Sequence, residues 1–124
     1  AKRMLSSMTP TIIEKDGELF MVVGTPGGST IITSVFQTVI NVIEFDKNMQ
    51  AAVDAKKFHH QWLPDTIYVE NGALDSMTVI KLQSKGYPVL ERGAIGRVDA
   101  ILKTKWGYYQ GGADKRGDDK SIGW

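Results

Sequence analysis

The sequence predicts an α+β fold of mainly antiparallel strands with two or three helices, and three observations carry this prediction. Asp16-Gly17 separates two strand patterns, 11–15 and 18–23, which is a strong signal for a two-residue hairpin. Residues 30–44 place apolar side chains at helical spacing over a length beyond that of an ordinary strand. Short apolar runs bounded by turn residues then recur to residue 113. The length of 124 residues suits one domain, so we predict a single domain over residues 1–124.

The first hairpin leads into the long helix. The uninterrupted apolar run of the return strand, 18–23, predicts burial on both of its faces. Residues 24–28 form a predicted loop, and Ser29 or Thr30 is the expected N-cap of the helix over 30–44. Its many β-branched residues leave a strand as the alternative, which length and spacing disfavour. The expected apolar face consists of Ile32, Val35, Phe36, Val39, Ile40 and Ile43.

Shorter elements follow the long helix. Asn48 is the predicted cap of a short helix over 49–56, and Asp75 is the predicted cap of a third helix over 76–85. The aromatic-rich residues 58–64 are predicted to form a compact loop. Further strands are expected at 66–70, 89–92 and 98–103, and Trp106-Gly107 is expected to turn the chain into residues 108–113. A polar, solvated tail is expected over 114–124.

Composition excludes several classes of protein. With 15 basic and 14 acidic residues the net charge is +1, so a nucleic-acid partner is not expected. The absence of cysteine excludes disulfides, thiol catalysis and cysteine-ligated metals. No apolar run approaches the ~20 residues that span a bilayer, so no membrane segment is expected in this chain. The chain begins at Ala1 rather than Met, so the lack of a signal peptide says nothing about export.

The turn Gly27-Gly28 is the first candidate site. It precedes the long helix, where unpaired N–H groups and the helix dipole favour an anion. Glycine lets the backbone approach a ligand closely, and two successive N–H groups can hold the oxyanion of an acyl-transfer intermediate. The alternative is a tight strand-to-helix turn that needs glycine for its geometry alone. A phosphate loop is excluded, because the lysine of that motif is missing.

Ser6 and Ser7 form the second candidate site. Each hydroxyl is able to donate a hydrogen bond to a carboxylate, and the alternative is a hydroxyl-stabilised turn before Pro10. Neither serine lies in an S-x-x-K or G-x-S-x-G pattern, which disfavours a nucleophilic serine.

Other polar motifs favour structural roles. His59 and His60 are adjacent and point to opposite sides of an extended segment, so packing and hydrogen bonding are expected rather than metal binding. Arg116-Gly117-Asp118 spells an integrin-like tripeptide that three residues match by chance. The spacing of Asp114, Asp118 and Asp119 does not fit a calcium loop. No metal and no cofactor are expected.

Four segments together resemble the C-terminal part of the small subunit of γ-glutamyltranspeptidase, an N-terminal-nucleophile hydrolase. They occur in the family's order and run nearly from end to end of the chain. They are Lys2-Arg3-x-Leu5-Ser6-Ser7-Met8-x-Pro10-Thr11-Ile12, Gly24-x-Pro26-Gly27-Gly28-Ser29-x-Ile31-Ile32, residues 58–65 (FHHQWLPD) and Gly112-Ala113-Asp114-x-Arg116.

The resemblance implies a fold and an activity. The family fold is a four-layer αββα sandwich, and the family enzyme autocleaves to expose a nucleophilic threonine that attacks glutathione and other γ-glutamyl amides. Ser6 and Ser7 match the serines that hold the donor's α-carboxylate, and Gly27 and Gly28 match the oxyanion hole. The nucleophile has no match here, so the chain alone is expected to be inactive. Its expected partners are the upstream segment and the large subunit.

The resemblance leaves several points open. Lys56-Lys57 replaces the usual Pro-Arg, Lys115 replaces a usual proline, and Met4 stands where proline is frequent. A periplasmic or extracellular location is implied by relatives alone. Strands that lack their usual neighbours expose open edges, so a homo-oligomer is expected. The alternatives are a non-catalytic domain that binds small carboxylates or a protein, and a serine hydrolase that uses Ser7 and His59.

Overall fold

A computed structural model describes residues 10–123, which form two compact units, 10–55 with 96–123 and 56–95. Three helices and two sheets confirm the α+β prediction; that of a single domain stays a prediction. A single 3-10 turn, Gly28–Thr30, precedes the first helix. The strands are β1 (Thr11–Lys15), β2 (Glu18–Gly24), β3 (Phe58–His59), β4 (Ile67–Glu70), β5 (Val89–Arg92), β6 (Asp99–Lys103) and β7 (Tyr109–Gly112), and the helices are α1 (Ile31–Ile43), α2 (Met49–Asp54) and α3 (Ser76–Ser84).

The sheet of the first unit has the order β1-β2-β6-β7, and its neighbouring strands are antiparallel. The predicted hairpin joins β1 to β2. Asp16 and Gly17 both have left-handed backbone angles, with φ of 56° and 80°, as a tight hairpin turn of this kind requires. β1 and β7 are the edge strands, so each described edge leaves backbone groups without a neighbouring strand in this sheet.

The core of the first unit lies between this sheet and helices α1 and α2. Met21 and Val23 of β2 are fully buried, whereas Phe20 and Val22 are only half-buried. The prediction that β2 is buried on both faces is therefore wrong for the described residues: full and partial burial alternate along the strand, although Phe20 also packs against the core. The core residues are Met21, Val23, Val42, Met49, Ala52, Val53, Val98, Ala100 and Leu102.

The helix predicted over 30–44 is confirmed, and Val35 and Val39 of its predicted apolar residues pack against the core. Other predicted residues are not covered. Ile32 and Phe36 are 79% and 61% exposed. The buried residues of α1 are Ile31, Ser34, Thr38 and Val42. A small side chain suits position 34 because another backbone segment comes close there: a β-carbon on Gly96 would lie 2.5 Å from Ser34 Oγ. The apolar periodicity thus predicted the helix correctly but did not predict which of its residues are buried.

Asn48 caps α2 as predicted, although the helix ends at Asp54 rather than at 56. The Asn48 side-chain oxygen accepts a hydrogen bond from Ala51 N at 2.8 Å. We expect Asn48→Ala to lower the free energy of unfolding by about 1 kcal/mol, because one N–H of the first turn loses its partner. Urea titration followed by circular dichroism measures this. Asn48→Asp is the matched control, since aspartate caps equally well; equal loss in both variants contradicts the capping role.

The second unit contains a three-stranded sheet of order β3-β4-β5. β4 and β5 are parallel, with α3 in the crossover between them, and β3 is antiparallel to β4. The prediction of a loop over 58–64 is wrong at its start, since Phe58 and His59 pair with Val69 and Tyr68. Asp75 caps α3 as predicted, and its carboxylate accepts from Thr78 N at 2.9 Å.

Glu70 braces the two ends of the second unit. Its carboxylate accepts a hydrogen bond from Lys57 N and another from Ile95 N, each at 2.8 Å. The Lys57 side chain is buried. Sequence inspection gave no signal for this brace, because Glu70 reads only as the polar end of a strand.

Candidate functional site

The site is built around the turn between β2 and α1. Gly27 has φ 142° and ψ 10°, and Gly28 has φ 58°. Side-chain-bearing residues rarely adopt either φ. A β-carbon on Gly27 would lie 2.5 Å from Thr30 Oγ1, whereas one on Gly28 would meet no atom within 4 Å. Glycine at 27 is thus required by the turn itself, and Gly28 borders open space.

Hydrogen bonds fix the carbonyl side of this turn. Gly27 O accepts from Thr30 N at 3.2 Å and from Thr30 Oγ1 at 2.9 Å. The prediction that Ser29 or Thr30 caps α1 through its side chain is wrong: the helix has no side-chain cap, and the Thr30 hydroxyl donates back to the turn. No side-chain oxygen therefore caps the first N–H groups of α1, although the Ile31 N–H donates to Gly28 O.

The N–H groups of the paired glycines are not occupied by described residues. Within residues 10–123, neither the Gly27 N–H nor the Gly28 N–H donates a hydrogen bond to another described residue. Both lie directly before the thirteen residues of α1, whose dipole places partial positive charge at this end. The arrangement therefore suits a developing negative charge on an oxygen atom.

The segment that contains Gly96 and Arg97 packs against the turn and hydrogen-bonds to Thr25. Thr25 Oγ1 donates to Pro26 O at 2.7 Å and accepts from Arg97 N at 2.8 Å. Gly96, with φ 70°, allows this approach, since a β-carbon there would lie 3.3 Å from Thr25 Oγ1 and closer still to Ser34. Sequence analysis missed Thr25 and Gly96; the only available signal was a glycine in an irregular stretch.

Ser6 and Ser7 lie outside the described residues. The structure thus locates the predicted oxyanion-hole residues, Gly27 and Gly28, and leaves the predicted carboxylate-binding serines as predictions. The same holds for the alternative that pairs Ser7 with His59.

The adjacent histidines make separate hydrogen bonds. His59 is buried and its Nε2 lies 2.9 Å from Gln61 Oε1, whereas His60 Nε2 lies 2.9 Å from Asp65 Oδ1. Both histidines thus make hydrogen bonds, as expected. No cluster of three or more potential metal ligands occurs among residues 10–123.

The expectation of a solvated tail is wrong at its beginning. Asp114 is fully buried; its Oδ2 accepts from Val98 N at 2.8 Å and its Oδ1 from Arg116 Nη1 at 3.0 Å. The Arg116 guanidinium also donates to Val53 O at 3.2 Å and Ala55 O at 2.9 Å. The Arg116-Gly117-Asp118 tripeptide is therefore not displayed as a recognition loop.

Arg97 pairs with both carboxylates of the Asp118-Asp119 pair, which gives a testable pH effect. The hydrogen bond from Arg97 holds the pKa of Asp119 below its ordinary value. Because the folded-state pKa is the lower one, the stabilisation is present above the unfolded pKa of about 4 and is lost as the pH falls through the folded value.

We therefore expect Asp119→Asn to be less stable than the parent chain at pH 6 and to show a smaller loss of stability between pH 5 and pH 2.5. Urea titrations at several pH values measure this. Glu14→Gln, at an exposed carboxylate of the first unit that forms no ion pair within residues 10–123, is the control. Parallel stability-against-pH curves for the parent and Asp119→Asn chains are the contrary result.

All 124 residues match the family model described as gamma-glutamyltranspeptidase. The chain is 44% identical over 124 residues to the glutathione hydrolase proenzyme of Escherichia coli, covering 99% of the chain and 21% of that protein. It is 46% identical over 103 residues to the glutathione hydrolase proenzyme of Pseudomonas aeruginosa, and this match covers 81% of the chain and 18% of that protein.

Solved structures agree in fold. A γ-glutamyltranspeptidase of Pseudomonas nitroreducens complexed with L-DON superposes with a TM-score of 0.87 at 40% identity, covering 99% of this chain and 65% of that one. A Helicobacter pylori γ-glutamyltranspeptidase variant superposes with a TM-score of 0.86 at 41% identity, and the match covers 94% of this chain and 64% of that one. The predicted family and fold class are confirmed.

The chain spans about a fifth of the length of the curated relatives that it matches. None of the helices in residues 10–123 has the length and hydropathy that a bilayer crossing requires.

Proposed function

The chain belongs to the γ-glutamyltranspeptidase family, and on that premise we propose that it supplies the oxyanion hole and the donor-carboxylate site of a γ-glutamyl transferase or hydrolase. The observation that carries the proposal is the Gly27-Gly28 turn, where two successive N–H groups at the start of α1 have no acceptor among the described residues.

The proposed chemistry is acyl transfer. A nucleophile from outside this chain attacks the γ-carbonyl carbon of glutathione or a related γ-glutamyl amide, and the carbonyl oxygen gains negative charge. The Gly27 and Gly28 N–H groups donate to that oxygen, which lowers the barrier because they are already oriented. The amine then leaves, and water or an acceptor amine takes the γ-glutamyl group from the nucleophile.

Ser6 and Ser7 are proposed to hold the donor's α-carboxylate. Two hydroxyl donors on a charged acceptor form charge-assisted hydrogen bonds, which fix the distance between the carboxylate and the γ-carbonyl. The family resemblance and the position of the serines before β1, whose partner β2 leads into the Gly27 turn, support this role.

The partners and location are proposals of the same kind. The relatives' greater length supports a need for an upstream segment and a large subunit. The edge strands β1 and β7 support pairing with further strands, either of those segments or of a second copy of the chain. A periplasmic or extracellular site of action is proposed from the family alone.

A chimera tests the function. The 124 residues of this chain replace the matched segment of the Escherichia coli proenzyme, and chromophore release from a γ-glutamyl anilide is measured. We expect activity from the chimera and none from the isolated chain or from the proenzyme without the segment. An autocleaved but inactive chimera contradicts the proposal, and activity of the isolated chain reveals a nucleophile within it.

A further inference from the structure

A groove in the first unit lies beside the β6–β7 hairpin and does not include the Gly27-Gly28 turn. Its volume is about 630 Å³. Sites for small organic ligands commonly fall within ~300–1,000 Å³. Its apolar lining comes from β2, α1, β6 and the hairpin, through Phe20, Val42, Leu102 and Trp106. The groove is thus large enough for a small ligand with an apolar body.

The hairpin gives this groove a flat aromatic wall. Trp106 is 69% exposed, and its ring stacks on that of Tyr108 with centroids 5.9 Å apart and planes 3° from parallel. Lys105 Nζ lies 4.6 Å from the Trp106 ring centroid. A large aromatic side chain held in one orientation at the surface is suited to stacking on a planar ligand.

The charged lining is predominantly basic. Four lysines and two acidic residues, Glu14 and Asp46, border the groove. Lys103 is paired with Glu18 at 3.0 Å. The other three lysines form no ion pair with a carboxylate of residues 10–123, and they are Lys15, Lys47 and Lys105. An anion in the groove therefore meets cations that are not already neutralised.

Gln110 adds an oriented neutral donor. Its side-chain oxygen accepts from Met49 N at 3.3 Å, which fixes which end of the amide carries the NH₂ group. That NH₂ group donates to no described residue, and Gln110 is part of the groove lining. Apolar wall, free lysines and an oriented donor occur together in one cavity.

We propose that this groove binds a small amphipathic anion, in which a carboxylate or sulfonate is attached to a flat apolar body. The apolar body packs against Trp106 and covers Phe20 and Leu102. The anionic group is held by Lys47 and Lys105, with Gln110 as a neutral donor. The site is independent of the proposed acyl-transfer chemistry.

The test uses naphthalene-2-carboxylate as the probe, titrated calorimetrically into the chain and into the chimera described above. We expect saturable binding to both, with a shift of the Trp106 indole N–H resonance in the chain's NMR spectrum. The neutral isostere 2-naphthylmethanol is expected to bind at least about tenfold more weakly, because it lacks the charge-assisted hydrogen bonds. This comparison needs no variant and is unaffected by misfolding of one.

Variants then locate the site. Lys47→Gln with Lys105→Gln is expected to weaken carboxylate binding roughly tenfold while leaving the alcohol unchanged. Lys81→Gln with Lys85→Gln, two exposed lysines in and directly after α3, is the charge-matched control. Equal affinity for the carboxylate and the alcohol, or no effect of the groove variant, overturns the proposal. Binding to the isolated chain but not to the chimera also overturns it, because the rest of the protein then fills the groove.

Discussion

Replacing Asp114 by alanine is expected to lower the free energy of unfolding by about 3–5 kcal/mol, because it breaks a buried ion pair by removing one partner. Asp114 is fully buried, and Arg116, its partner at 3.0 Å, is nearly so. The substitution also removes the acceptor of the Val98 N–H, which donates to Asp114 Oδ2 at 2.8 Å. The buried guanidinium thus loses the carboxylate of Asp114, and the Val98 N–H loses its acceptor, in a single substitution.

The consequence extends to α2. Arg116 donates to the carbonyls of Val53 and Ala55, at the end of that helix, and Asp114 orients Arg116 for this contact. Urea unfolding of the isolated chain, or thermal unfolding of the chimera if the isolated chain is too unstable, measures the loss. Lys115→Ala is the matched control: its amine is exposed and 3.8 Å from Asp54, so a change within about 0.5 kcal/mol is expected. Equal midpoints for Asp114→Ala and Lys115→Ala contradict the assigned role of the pair.

Replacing Gly27 by alanine is expected to reduce the turnover of the chimera about a hundredfold to a thousandfold, with a small change in KM. That range corresponds to the loss of one oxyanion donor. The added β-carbon would lie 2.5 Å from Thr30 Oγ1, and φ 142° is strained for alanine. The turn is therefore expected to change its backbone angles, and its N–H groups then no longer point at the substrate oxygen. Because the transition state is affected more than the bound substrate, kcat falls and KM does not rise in proportion.

Gly17→Ala is the control for the Gly27 variant. Gly17 also has a positive φ, of 80°, but a β-carbon there meets no atom within 4 Å, and it lies in the β1–β2 hairpin turn. We expect a modest loss of stability and unchanged turnover. Steady-state kinetics on the γ-glutamyl anilide, with the amount of processed enzyme measured separately, distinguishes the two variants. Full turnover in the Gly27 variant excludes this turn as the oxyanion hole.

The sequence by itself determined the elements whose signals are local. The hairpin at Asp16-Gly17 follows from residues that tolerate left-handed backbone angles, and the caps Asn48 and Asp75 follow from side chains that satisfy the first N–H groups of a helix. The length and spacing of apolar residues were enough to predict α1 as a helix. The paired glycines were recognisable because both the turn and an anion site require the absence of a β-carbon.

Only the tertiary structure decided which surfaces are covered and which polar groups are satisfied. The buried face of α1 carries Ser34 where Gly96 brings another segment close, and no periodicity within the helix reports that neighbour. Asp114 and Glu70 accept hydrogen bonds from Val98 and Ile95, which are distant from them in sequence, so no local pattern predicts these contacts. Hydrophobic patterning measures what a residue prefers, whereas burial depends on what packs against it, and that information lies in the rest of the chain.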